Sequence, residues 1–108
     1  NLHEYTFDSH DETMTYALSI PFVATMVFAA SMRYPDAPGT TFNKHLSTAK
    51  GVLSEDDFLL SEILFSPYTA DKIDQVIAQM SRLKGIIEKK DSKEMKDYLT
   101  ELRKNIFG

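Results

Sequence analysis

TADKIDQVIAQMSRLKGIIEKKDS, residues 69–92, decides the fold class. Ile73, Val76, Ile77, Met80, Leu83 and Ile87 recur at three- and four-residue spacing, and charged residues occupy the opposite side. That period belongs to an amphipathic helix, in which positions three or four apart lie on one face. Thr69 or Asp71 starts the helix, and Asp91-Ser92 breaks it. Met95, Tyr98, Leu99, Leu102 and Ile106 resume the same spacing, so a last helix follows. So short a break predicts an antiparallel pair.

Upstream, Ser54-Glu55-Asp56-Asp57 is a cap signature, with acids at the positive end of a helix that carries Phe58, Leu59, Ile63 and Leu64. Pro67 follows that helix. Thr40 or Thr41 caps a helix predicted from Phe42 to about Lys50, with Gly51 as its end. Arg33 to Gly39 is a loop by its Pro and Gly content. Ser9-His10-Asp11-Glu12 has capping-box spacing and opens a helix predicted to run to about Met32. Before it, Tyr5, Thr6 and Phe7 suggest a short extended arm.

Along that first helix Met14, Ala17, Leu18, Phe22, Val23, Met26, Val27 and Ala30 form the main stripe. Ile20, Phe28 and Ala29 fill much of the other side. A helix apolar nearly all round is a buried helix. In so short a chain, a second subunit is one way to bury it. Pro21 removes a helical hydrogen bond and predicts a kink or a split there. No repeat and no convincing β alternation appears. The expected fold is all-α, a single helical domain over residues 1–108 with about five helices, a long buried first helix and a C-terminal antiparallel helix pair.

The 108 residues contain no Cys, which removes disulfide frameworks, thiolate metal sites and cysteine nucleophiles. It also fits a reducing, cytoplasmic setting. The longest apolar stretch, Ala17 to Met32, is interrupted by Ser19, Pro21, Thr25 and Ser31 and is shorter than the roughly 20 residues of a spanning helix. It has no basic leader, so neither a membrane span nor a signal peptide is expected. The net charge of −4 argues against nucleic acid as a partner. Cations are scarce up to residue 70, where only Arg33, Lys44 and Lys50 stand against nine acids. From residue 71 on, nine cations face seven acids, an ordinary solvated helical surface. Three dispersed His, with none four residues from another, offer no metal site. Met14, Met26, Met32 and Met80 read as core filler. Tyr34, Tyr68 and Tyr98 read as ordinary half-buried packing.

Two stretches resemble the prephenate/arogenate dehydrogenase family. One is His10-Asp11-Glu12-Thr13-Met14 followed by Ser19-Ile20-Pro21-Phe22. It is similar to the His-Asp pair and the later Leu-Pro-His of that family's helical C-terminal domain. The other is Phe42-Asn43-Lys44-His45-Leu46, running through Ala49-Lys50-Gly51 and Ser54 to Asp57, then Ile63-Leu64-Phe65-Ser66-Pro67. It resembles the family's Phe-Lys-Asp segment and its Ile-Phe-x-x-Asn helix end, most of all in the archaeal branch. Phe22 stands where many members have the second His, and Ser47 or its small neighbours where many have a carboxylate-binding Arg.

The resemblance implies the C-terminal part of a larger chain, with NAD or NADP bound by a Rossmann-type domain that precedes it. No Gly-x-Gly-x-x-Gly turn occurs in these residues. The implied reaction is oxidative decarboxylation of prephenate or arogenate in tyrosine biosynthesis. These 108 residues would form a homodimer and close one side of the substrate cleft. Alone they would bind no cofactor, carry no catalytic residue and be inactive. His10, Lys44 and His45 are the candidate substrate-binding residues: scarce cations for Lys44, and rings that change charge near neutral pH for His10. Two other readings fit the same residues. One is a stand-alone helical dimerisation or adaptor module. The other is the helical domain of a different two-domain dehydrogenase.

Overall fold

Thr15–Ser19 forms a single π-helical turn, a wide i→i+5 arrangement that occurs in short pieces. The computed structural model describes residues 15–108. The capping box at Ser9–Glu12, the arm at residues 5–7 and His10 lie outside the described residues. From Ile20 the backbone tightens into helix α1, Ile20–Ser31. Pro21 stands in the first turn of α1, where its missing N–H has no intrahelical acceptor to lose. The split expected at Pro21 is therefore not seen: the helical path is unbroken through it, and the change from π to α geometry falls just before it. The Met32 N–H closes the helix on the Phe28 carbonyl at 2.9 Å.

Helix α2 is Gly39–Leu53, longer at both ends than the expected span from Phe42 to Lys50. It starts at Gly39, whose φ of 73° suits glycine, directly after Pro38. No Thr side chain caps it. Gly51 does not end it either. The end lies at Ser54, whose hydroxyl donates to the Lys50 carbonyl at 2.6 Å and whose N–H reaches Gly51. Helix α3 is Asp57–Leu64, and within the expected cap signature Asp56 does the capping, its carboxylate accepting the Leu59 N–H at 2.8 Å. Helices α4, Thr69–Lys89, and α5, Ser92–Phe107, complete an all-α chain with five α-helices and no strand among the described residues. No helix among them is long and apolar enough to cross a membrane.

The chain divides into two compact units, up to Ile73 and from Asp74 on. In the first, α1 packs on α2, and the π-turn meets α3. Val23, Ala49 and Leu60 are the unit's buried apolar residues among those described. Ser19 is fully buried, and its hydroxyl lies 3.1 Å from that of Thr69, itself buried. Thr69 donates to the Ile63 carbonyl at 3.4 Å, which leaves Ser19 as the donor to Thr69. The bond ties the π-turn to the start of α4 across fifty residues of chain. Burial of α1 itself is concentrated at Val23 and Thr25; Ala17, Val27 and Ala30 of the expected stripe are exposed. A helix with apolar residues on nearly every side has no polar face to exclude, so its neighbours decide which side turns inward.

In the second unit the Arg82 guanidinium grips Glu101 through two hydrogen bonds of 2.7 and 2.9 Å. Seven residues further along α4, Lys89 meets Glu94, seven residues earlier along α5, at 3.4 Å. The two helices therefore run antiparallel, as expected. Tyr98 is buried, with the Arg82 guanidinium 4.8 Å from its ring centroid. Ile86 is buried as well. At the tip, Lys90 adopts a left-handed φ of 55°, and the Asp91 carboxylate accepts from the Lys93 and Glu94 N–H groups at 2.9 and 3.2 Å.

Candidate functional site

Packing α1 on α2 leaves a cleft of about 370 Å³ between them. Pro21, Phe22, Ala24, Thr25 and Phe28 line it from α1, and Lys44, His45, Thr48 and Val52 from α2. Helical spacing explains the α2 wall, because residues 44, 45, 48 and 52 fall on one side. The Phe28 ring packs at a tilt against Phe42, 5.6 Å between centroids, and against His45, 5.7 Å. The His45 Nδ1 lies 3.0 Å from the Thr41 carbonyl. A carbonyl only accepts, so the proton sits on Nδ1 and Nε2 is left for another partner. Lys44 is exposed and in no ion pair among the described residues. The cleft thus has aromatic and aliphatic walls, two hydroxyls, one ammonium group, one imidazole and no carboxylate. Such a lining suits a small ring that carries an anionic group.

Of the three candidate residues, Lys44 and His45 come together on this cleft, and His10 is outside the described residues. Phe22, which replaces the second His of the resemblance, lines the same cleft. Lys50, six residues beyond Lys44, lies instead on a separate cleft of about 510 Å³ with Ala29, Met32 and Tyr34. Arg33 and Ser47 are exposed. Among the described residues no group of three His, Asp or Glu is placed to hold a metal. Phe28, Thr25 and Thr48 are wall residues that the sequence does not single out. Spacing alone sets Phe28 on the far side of α1, and its ring contacts with Phe42 and His45 correct that placement. In a helix apolar nearly all round, no periodic signal distinguishes the position that faces a neighbour's ring.

On α4 and α5, Arg82 and Glu101 shift each other. The hydrogen bonds from Arg82 hold the Glu101 carboxyl below its ordinary value, and Glu101 in turn raises Arg82. No family model, no curated protein and no solved structure matches this chain.

Proposed function

We propose that this chain is the helical dimerisation and substrate-cleft part of an NAD(P)-dependent dehydrogenase acting on prephenate or arogenate. One observation carries the reading. The two segments that bear the resemblance, around Pro21-Phe22 and around Lys44-His45, pack as neighbouring helices and line one cleft. In that reading Lys44 draws a substrate carboxylate by charge, and His45 offers Nε2 to a polar group of the ligand. Phe22 and Phe28 receive the faces of the ring. The nicotinamide and the group that polarises the ring alcohol belong to the preceding domain; orientation and anion binding are the work of these residues. The homodimer and a cytoplasmic setting belong to the same reading.

The test uses the full-length parent protein and follows NAD(P)H formation with prephenate and, separately, with arogenate. Turnover of either supports the reading, and the preferred one names the substrate. A folded parent that turns over neither overturns it. The alternative is a helical interaction module without substrate. It is favoured by the aromatic side chains turned to solvent, Phe58 at 76% and Phe65 at 82% exposure.

A further inference from the structure

The α4–α5 pair has two unlike sides. Arg82, Lys89, Glu94 and Glu101 pair on one side. Met80 and Ile87 precede Arg82 and Lys89 by two residues, about 200° around the helix, so they lie opposite. There Ile77, Met80, Ile87, Leu99 and Ile106 are exposed. Between the helices near the tip is a groove of about 620 Å³, with Ile87, Met95 and Leu99 beside Lys90, Lys96 and Arg103. None of those three cations is in an ion pair among the described residues. The carboxylate at the groove, Asp91, is occupied capping α5. The face is therefore apolar and of one sign. Pressed against its own copy it would set cation on cation, which disfavours that pairing.

Its complement is α3. Phe58, Glu62 and the C-cap residue Phe65 follow one another at i, i+4 and i+7, one exposed stripe of aromatic, acid, aromatic. Glu55 and Asp57 stand at its N-terminal end, and none of these acids is in an ion pair among the described residues. Phe58 and Phe65 are seven residues apart, as are Lys96 and Arg103, so both surfaces repeat at about 10 Å along their helices. Eight residues make α3 about 12 Å long, which the roughly 16 Å wall from Ser92 to Arg103 accommodates. We propose that α3 of one copy docks in the α4–α5 groove of a second copy. Phe58 and Phe65 enter the apolar groove, and Glu62 lies between Lys96 and Arg103. The proposal rests on the homodimer of the dehydrogenase reading but not on its substrate cleft, so association tests the one and turnover the other.

Light scattering on the unaltered chain at micromolar concentration tests it, with far-UV circular dichroism to monitor folding. Self-association is expected, a dimer where the contact is made twice and a larger assembly where it is made once. Lys96→Glu with Arg103→Glu weakens it at least about tenfold, and so does Glu62→Lys. Mixing the two variants restores association, because the swapped charges again match. Raised salt weakens the unaltered assembly. A monomer under these conditions overturns the proposal. So does an assembly that both reversals leave intact, including one that only Val27→Asp disrupts, which would put the contact on α1. Should a variant unfold, a peptide of residues 54–66 added to the unaltered chain is the second measurement. Dissociation of the assembly supports the docking, and no effect at excess overturns it.

Discussion

Ser19 and Thr69 are small polar side chains among the least exposed of the described residues, Ser19 donating to Thr69 and Thr69 to the Ile63 carbonyl. Removing Ser19 leaves Thr69 its bond to Ile63, whereas removing Thr69 strands Ser19 and takes a donor from the Ile63 carbonyl. Ser19→Ala is expected to cost about 1 kcal/mol in denaturant unfolding, and Thr69→Val more, because it loses the bond to Ile63 as well. A double variant that is as unstable as the two losses added would show that the hydroxyls do not act as a pair. Glu101 gives a pH prediction. Its carboxyl is held below the ordinary value of 4.5, chiefly by hydrogen bonds from Arg82. A folded value lower than the unfolded one contributes stability above pH 4.5 and loses it as pH falls through the folded value. Glu101→Gln should therefore flatten the fall in stability below pH 4.5, measured by urea midpoints on either side of that pH. The effect is small because the pair is open to solvent.

At the scale of the element, the turn between α4 and α5 is held by two features of different cost. The Asp91 cap is favourable and follows from local sequence, since an acid before a periodic run accepts the first free N–H groups. Lys90 beside it carries a left-handed φ of 55°, a conformation in which a Cβ crowds the following carbonyl. Lys90→Gly is expected to raise stability by about 0.5–1 kcal/mol, the relief of strain being partly offset by a freer unfolded chain. A lower thermal midpoint for this variant would mean that the lysine side chain does more for the turn than its backbone costs. The end of α2 departs from Gly51 for a related reason. Glycine ends a helix when it takes a left-handed φ, and here Gly51 stays helical while Ser54 closes the chain end on Lys50. The spacing of residues says where a glycine is, not which φ it adopts.

For the whole molecule, the cleft between α1 and α2 is the feature on which a substrate role rests. If it binds the anion of a substrate in the parent enzyme, Lys44→Ala and His45→Ala act on binding and not on the chemical step. Each should raise KM about tenfold or more at nearly unchanged kcat, the expected loss of a charge-assisted hydrogen bond. The melting temperature should hardly change, because both side chains are exposed. Kinetics untouched by either change would remove the cleft from the site. The docking of α3 is a separate matter, settled by association and not by turnover.

The parts of this protein written in neighbouring residues are legible in the sequence by itself. They are the helices from Thr69 to Lys89 and from Ser92 on, their antiparallel course and the all-α class. Helical spacing, caps and short breaks are interactions over a few residues, so a linear reading contains them. The π-turn at Thr15–Ser19 has no such local signal. Nor does the meeting of Ser19 with Thr69, which depends on how the π-turn and α3 come together before α4 starts. Scarcity and resemblance single out Lys44 and His45, but not the wall that faces them. That wall follows from the side of α1 that turns inward. Because α1 is apolar nearly all round, its own sequence leaves the choice open, and only the surface of α2 packed against it places Phe28 beside His45 and leaves Val27 in the solvent.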